Sequence, residues 1–212
     1  MYNPPAFAMS DPADIRQLIG SIGLAQLVTM TDDGLMCSPL PLLYDPDDGP
    51  HGSLTGHLAR ANPQWRAIPR ADALVILTGA DAYVSPSFYP GKAEHHKVVP
   101  TWNYQTVQAH GPVEYFEDQD RLLSLVTRLT DRHEAGRPLP WSVNDAPPDF
   151  IKAQLRGIVG VKVSITRIAG KSKMSQNRNP ADIAGVREGL AASDDAREQA
   201  VAGVMAGLAV KE

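Results

Sequence analysis

The chain has 212 residues, 43% of them apolar, with a single cysteine. That suffices for one core-forming domain, alone or with an appendage, and it excludes an intramolecular disulfide framework. A formal net charge of −4 and a pI near 5.8 exclude a global electrostatic pull on nucleic acid or anionic membranes, though not a local basic patch. No run approaches the roughly 20 apolar residues of a membrane span. The opening "MYNPPAFAMSDP" lacks the basic and apolar regions of a signal peptide. The expectation is a soluble, cytoplasmic protein with no membrane partner.

In chain order, "SDPADIRQLIGS" predicts a short helix capped by Ser10 or Asp11, with Ile15, Leu18 and Ile19 on one face. Residues 24–30, the turn 31–34 and residues 35–44 predict a hairpin. Pro39 and Pro41 lack backbone donors, which makes its second strand an edge or a bent strand. "SLTGHLA" reads as a short strand, "RANPQWRAI" as a helical turn and 73–79 as an apolar strand. "DAYVSPSFYPGKAEHH" is a strand entering an irregular loop, and His96–Phe116 reads as one long strand rich in β-branched and aromatic residues. "DQDRLLSLVTRLTDRHEAG" is the clearest helix, with Leu122, Leu125, Val126 and Leu129 in a stripe. A Pro-rich connection and a short helix "PDFIKAQLRG" lead to "GIVGVKVSITRI", whose alternation predicts a strand. "AGKSKMSQNRNP" reads as a polar loop, followed by two Ala-rich helices.

Six or seven closely spaced strands joined as hairpins, with helices between and after them, predict a mainly β (α+β) protein. Its expected core is an antiparallel barrel with peripheral and C-terminal helices. The expected organisation is one domain over residues 1–178, with a C-terminal helical appendage over 179–212 packing on it. Dinucleotide, P-loop, zinc-protease and paired-cysteine motifs are absent, as is a G-x-S-x-G elbow. Cys37 neighbours no helix N-terminus and reads as a small buried residue.

Three polar constellations remain. Residues 55–65 place His57, Arg60 and Asn62 where a strand meets a helical turn, a candidate phosphate site with a capped, solvated turn as the bland alternative. Residues 83–105 hold lysines, His95-His96 and five aromatics in a loop and the strand after it. Adjacent loop histidines rarely share one ion, so a solvated loop with packed aromatics outweighs a metal site there. Residues 170–180 combine two lysines, Arg178 and amides, a local anion site or a solvated basic turn. A flat, polar-edged ligand with a phosphate accounts for all three, and FMN meets that description. Trp102 would be its wall, Asn103 and Thr106 its polar contacts, and the proline-bearing edge strand would turn carbonyls toward it.

"MYNPPAF", "GHLARANPQW", "YVSPSFYPGK", "VPTWNYQTVQAHG" and "KSKMSQNR", in this order from Met1 to about Arg178, together resemble the PaiB family, described as FMN-binding negative transcriptional regulators. The resemblance implies a split β-barrel, similar to pyridoxamine-phosphate oxidase, and a homodimer with FMN at the subunit interface. It implies a phosphate contact from Arg60 with His57 and Leu58 beside it, and a ring lying along the backbone of Ser38, Pro39, Leu40 and Pro41. Trp102, Asn103 and Thr106 then line the cofactor, and Lys173, Gln176 and Asn177 are rim or second-subunit contacts. The clear phosphate-binding cluster of the oxidases has no full counterpart here.

Four function classes follow. The first is a flavin-binding regulator, acting indirectly because low pI and the lack of a helix-turn-helix pattern argue against direct DNA binding. The second is a flavin-dependent oxidoreductase on a small molecule, in which the flavin supplies the chemistry. The third is a haem-binding or haem-degrading barrel using His57, His95, His96 or His110. The fourth is a barrel with a vestigial site.

Overall fold

A computed structural model describes residues 1–92 and 96–209, the side chain of Ala209 excepted. Its contacts divide the chain into two compact units. One comprises Met1–Leu18, Thr78–Val107 and Ala169–Glu212, the other Ile19–Leu77 and Gln108–Ile168. Strands β6 (Ala73–Val84), β7 (Thr101–Gly111) and β10 (Arg167–Lys173) contribute residues to both.

In the first unit β1 (Ala8–Met9), β10, β7 and β6 are neighbours in that order. β1 pairs antiparallel with β10, Ala8 opposite Lys171 and Met9 opposite Gly170. Helix α1 (Pro12–Ser21) begins in this unit. The C-terminal helices, here α4 (Pro180–Ala191) and α5 (Ala196–Ala209), bury Val186, Leu190, Val201, Ala202 and Met205 against Ala82, Val84, Tyr89 and Met174. Asn179 caps α4 by accepting from the Asp182 N–H at 2.8 Å, satisfying one orphan donor of the first turn. The helices thus close over a core that β6 and the 86–90 turn leave apolar.

In the second unit β2 (Ala25–Thr31) pairs with β3 (Gly34–Leu40) on one side and with Leu74–Leu77 of β6 on the other. β3 ends the strand order, so the edge position expected from Pro39 is observed. A two-residue turn, Asp32-Asp33, joins the pair, and Gly34 takes φ +106°, open to it because it lacks a Cβ. The other sheet runs β4 (Leu43–Asp45), β5 (Ser53–Ala59), β9 (Ile158–Ser164), β8 (Val113–Phe116). Helices α2 (Gln119–Glu134) and α3 (Pro148–Leu155) pack Leu122, Leu125, Leu129 and Leu155 against Leu43 and Phe116. The predicted stripe on α2 is therefore its buried face. Gly160 is fixed by close approach, since a Cβ there would lie 2.2 Å from the Phe116 ring.

Several expectations change. The long strand begins only at Thr101 and breaks at Pro112, which has no N–H for the ladder. The predicted strand over 157–168 ends at Ser164. The stretch read as a polar loop instead starts with β10, so Lys171 and Lys173 lie on a strand. Cys37 is exposed rather than buried; it faces outward on the edge strand, its Sγ 3.4 Å from Gln26 Oε1. No helix among the described residues is long and apolar enough to cross a membrane.

Candidate functional site

In the second unit, β3 alternates so that Ser38 and Leu40 are buried and Pro39 is exposed. Ser38 Oγ accepts from Asn62 Nδ2 at 2.8 Å, and Asn62 Oδ1 caps the turn Pro63–Trp65 by accepting from the Gln64 N–H. That turn is three residues long, too short for an anion-receiving helix N-terminus. Arg60 is committed: Nε donates to the Arg156 carbonyl at 2.6 Å, Nη2 to the Ile158 carbonyl at 3.3 Å, and Nη1 pairs with Glu117. Its guanidinium also lies 5.9 Å from the Trp65 ring. Arg60 thus ties the end of β5 to the start of β9.

Leu58 is buried, so its side chain packs inside. His57 stands opposite Gly160, which stands opposite Phe116, and paired residues point to one face. His57 therefore shares the face of Phe116, against which α2 packs. Its Nδ1 is buried without a partner, and burial pushes its pKa below the ordinary histidine value. It rests there as neutral imidazole.

In the first unit, Trp102, Tyr104 and Thr106 alternate along one face of β7. Trp102 is 50% exposed and Tyr83 on β6 43% exposed. Their rings meet edge to face, centroids 6.0 Å apart. Lys173 donates from Nζ to Thr101 Oγ1 at 2.7 Å and to the Trp102 carbonyl. Burial first, then the Lys171 and Arg178 charges, lower its pKa. Asn103 faces the other way and is fully buried, accepting from Ser175 Oγ at 3.1 Å and donating to Met205 Sδ at 3.6 Å. Ser175 holds φ +66°, a left-handed conformation that costs a non-glycine residue about 1–2 kcal/mol. Gln176 folds back on its own loop, accepting from the Met174 N–H and donating to the Ser172 carbonyl, each at 2.6 Å. Asn177 lines an open recess of about 420 Å³ with Lys97, Arg178 and Asp182.

The expected residues thus form two groups by unit. Trp102, Thr106 and Lys173 belong to one, with Lys173 bonded to the Trp102 carbonyl; Ser38, Asn62 and Arg60 belong to the other. The side chains of Asn103, Leu40 and Leu58 are in the interior. Of the haem candidates, His96 is exposed at φ 54° and His110 is half-buried on β7; His95 lies outside the described residues. The stretches marked in the sequence contain Tyr83 and Lys171, but the sequence singles out neither as a contact. Lysines two apart would have shown Lys171 had 167–173 been read as a strand. An exposed aromatic pair beside a half-buried ammonium suits a flat ligand carrying negative charge, so FMN fits the residues present.

The profile of a family described as "Putative FMN-binding domain" matches residues 1–167. The chain is 32% identical over 206 residues, 97% of this chain and 96% of the other, to the protease synthase and sporulation protein PAI 2 of Bacillus subtilis. Among solved structures it resembles the FAD and haem binding protein from Mycobacterium smegmatis, with 18% identity, TM-score 0.58, 84% of this chain and 78% of that one. It also resembles a flavocytochrome from Azotobacter vinelandii, with 15% identity, TM-score 0.57, 92% and 75% coverage. The fold is that of the flavin-binding split barrels, antiparallel sheets with helices around and after them. Within that class the chain belongs to the FMN-binding family of the PaiB type.

Proposed function

We propose that this protein holds FMN against Trp102 and exerts a regulatory effect through the flavin rather than by reading DNA itself. The observation that carries the reading is Trp102: a half-exposed indole on a strand otherwise well packed, with Tyr83 at its edge and Lys173 bonded to its own carbonyl. An open aromatic face with a second ring at its edge gives a flat ligand a surface to stack on. Bound flavin would supply hydride or electron chemistry. The chain's part is to orient the ring on Trp102 and to exclude water with Tyr83. A second copy, as in the homodimer the family resemblance implies, would complete the site at a subunit interface.

Indirect regulation rests on charge: the net charge is −4, and α4 and α5 each carry one arginine against two acidic residues and one acidic residue, respectively. Neither helix has the basic face that tracks a phosphate backbone. The absorbance spectrum of the purified protein, after FMN addition and desalting, tests the reading. Retained oxidised-flavin bands that disappear in Trp102→Ala support it. Loss of FMN on desalting from the unaltered chain removes it, and a Soret band on adding haemin would then favour the haem alternative.

A further inference from the structure

We infer that Lys171 and Lys173, roofed by the segment Met1–Met9, form a site for a phosphate monoester dianion. Lys171 is 6% exposed. Its ammonium donates to the Tyr2 carbonyl at 3.2 Å and lies 5.6 Å and 5.2 Å from the centroids of Tyr2 and Tyr104. Lys173 has two neutral acceptors and the Phe7 ring at 6.0 Å. Among the described residues no carboxylate pairs with either. A buried cation is ordinarily paired, because desolvation is costly without a counter-charge. Here two stand on one face of one strand, and they repel.

The spacing selects the ligand. Residues i and i+2 of a strand lie about 7 Å apart on one face. Two flexible ammoniums at that separation can each donate to a different oxygen of one tetrahedral anion. A dianion balances both charges, whereas a carboxylate balances one. The roof is removable in part. Asn3 Nδ2 donates to the Gly170 carbonyl at 2.9 Å and β1 pairs with β10, which holds the segment, yet Tyr2 is 85% exposed. The Tyr2 carbonyl occupies the place at Lys171 that an anionic oxygen would take. The phosphate could be that of FMN, which would deepen the flavin reading, or free phosphate, which would not need it.

Calorimetric titration of the full chain with inorganic phosphate, FMN and riboflavin tests this. FMN should bind at least about tenfold more tightly than riboflavin, the factor expected of one good charge-assisted contact. Phosphate should bind and compete with FMN. Lys171→Met and Lys173→Met should each abolish phosphate binding and reduce the FMN preference to under about threefold. Riboflavin binding as tightly as FMN, with no heat from phosphate, would overturn the anion site while leaving the flavin reading intact. Phosphate binding that the lysine variants abolish, without FMN binding, would uphold the anion site and remove the flavin reading. Because Lys171→Met removes a buried group, melting curves accompany both variants; Lys173→Met, at the more open lysine, decides if Lys171→Met does not fold. A Lys173→Met variant that melts normally and keeps both phosphate binding and FMN preference also overturns the inference.

Discussion

Arg60 in one unit and the Lys171–Lys173 pair in the other are both cations beside an aromatic ring, and both lie in stretches whose composition suggests a phosphate. They differ in what already occupies them. Arg60 has a carboxylate and two carbonyls on its guanidinium; among the described residues the lysines meet neutral oxygens and rings and no carboxylate. A cation is available to a ligand when the fold has left it unneutralised, and residue type says nothing about that. On the inference drawn above, Arg60 serves stability and the lysines serve binding.

The largest expected effect breaks the comparison if it is wrong. Arg60→Met should lower unfolding free energy by about 2–3 kcal/mol, since it strips charge-assisted bonds from two carbonyls that hold β5 to β9. It should change FMN affinity by less than about threefold. Lys173→Met should do the reverse, weakening FMN about tenfold or more with a small shift in the urea midpoint. Urea denaturation and FMN titration on both variants check this. If Arg60→Met releases FMN while stability holds, the roles are exchanged.

The same contrast shows what the sequence made legible. The edge character of β3 followed from Pro39, the α2 stripe from its spacing, and the flavin class from five ordered motifs. The side-chain commitments did not. Arg60 meets Glu117 and Arg156, which lie 57 and 96 residues away, and no local pattern encodes such a partner. Asn103 and Trp102 are adjacent in sequence, yet strand alternation sends one inward and the other outward; fixing which is which needs the register. Residues 170–173 looked like a loop because Gly, Ser and two lysines have poor strand propensity, and pairing with β1 and β7 overrides that preference.

A smaller effect sharpens the division within β7. Asn103→Ala removes the amide that makes both of a buried pair of contacts, leaving Ser175 Oγ without its acceptor beside a left-handed backbone. The expected cost is about 1–3 kcal/mol. Because Asn103 faces Met205 rather than the Trp102 surface, the flavin spectrum at saturation should keep its shape. A shifted spectrum at unchanged stability would place the amide at the flavin after all.

The smallest effect concerns His57, which the covered face holds neutral. Burial lowers its folded pKa below the unfolded value near 6.5. A base so shifted binds fewer protons folded than unfolded, so stability is fully present above about pH 6.5 and falls as pH drops through that value toward the folded pKa. One such proton contributes a slope of at most about 1.4 kcal/mol per pH unit. His57→Gln keeps an amide near the Nδ1 position and cannot titrate. Its unfolding free energy, measured against the unaltered chain between pH 5 and pH 8, should differ by a constant above pH 6.5 and should fall less steeply below it. Parallel curves across the whole range would mean that His57 titrates freely. It would then stand open to ligand, as the phosphate and haem readings of this residue require and as the packing of α2 argues against.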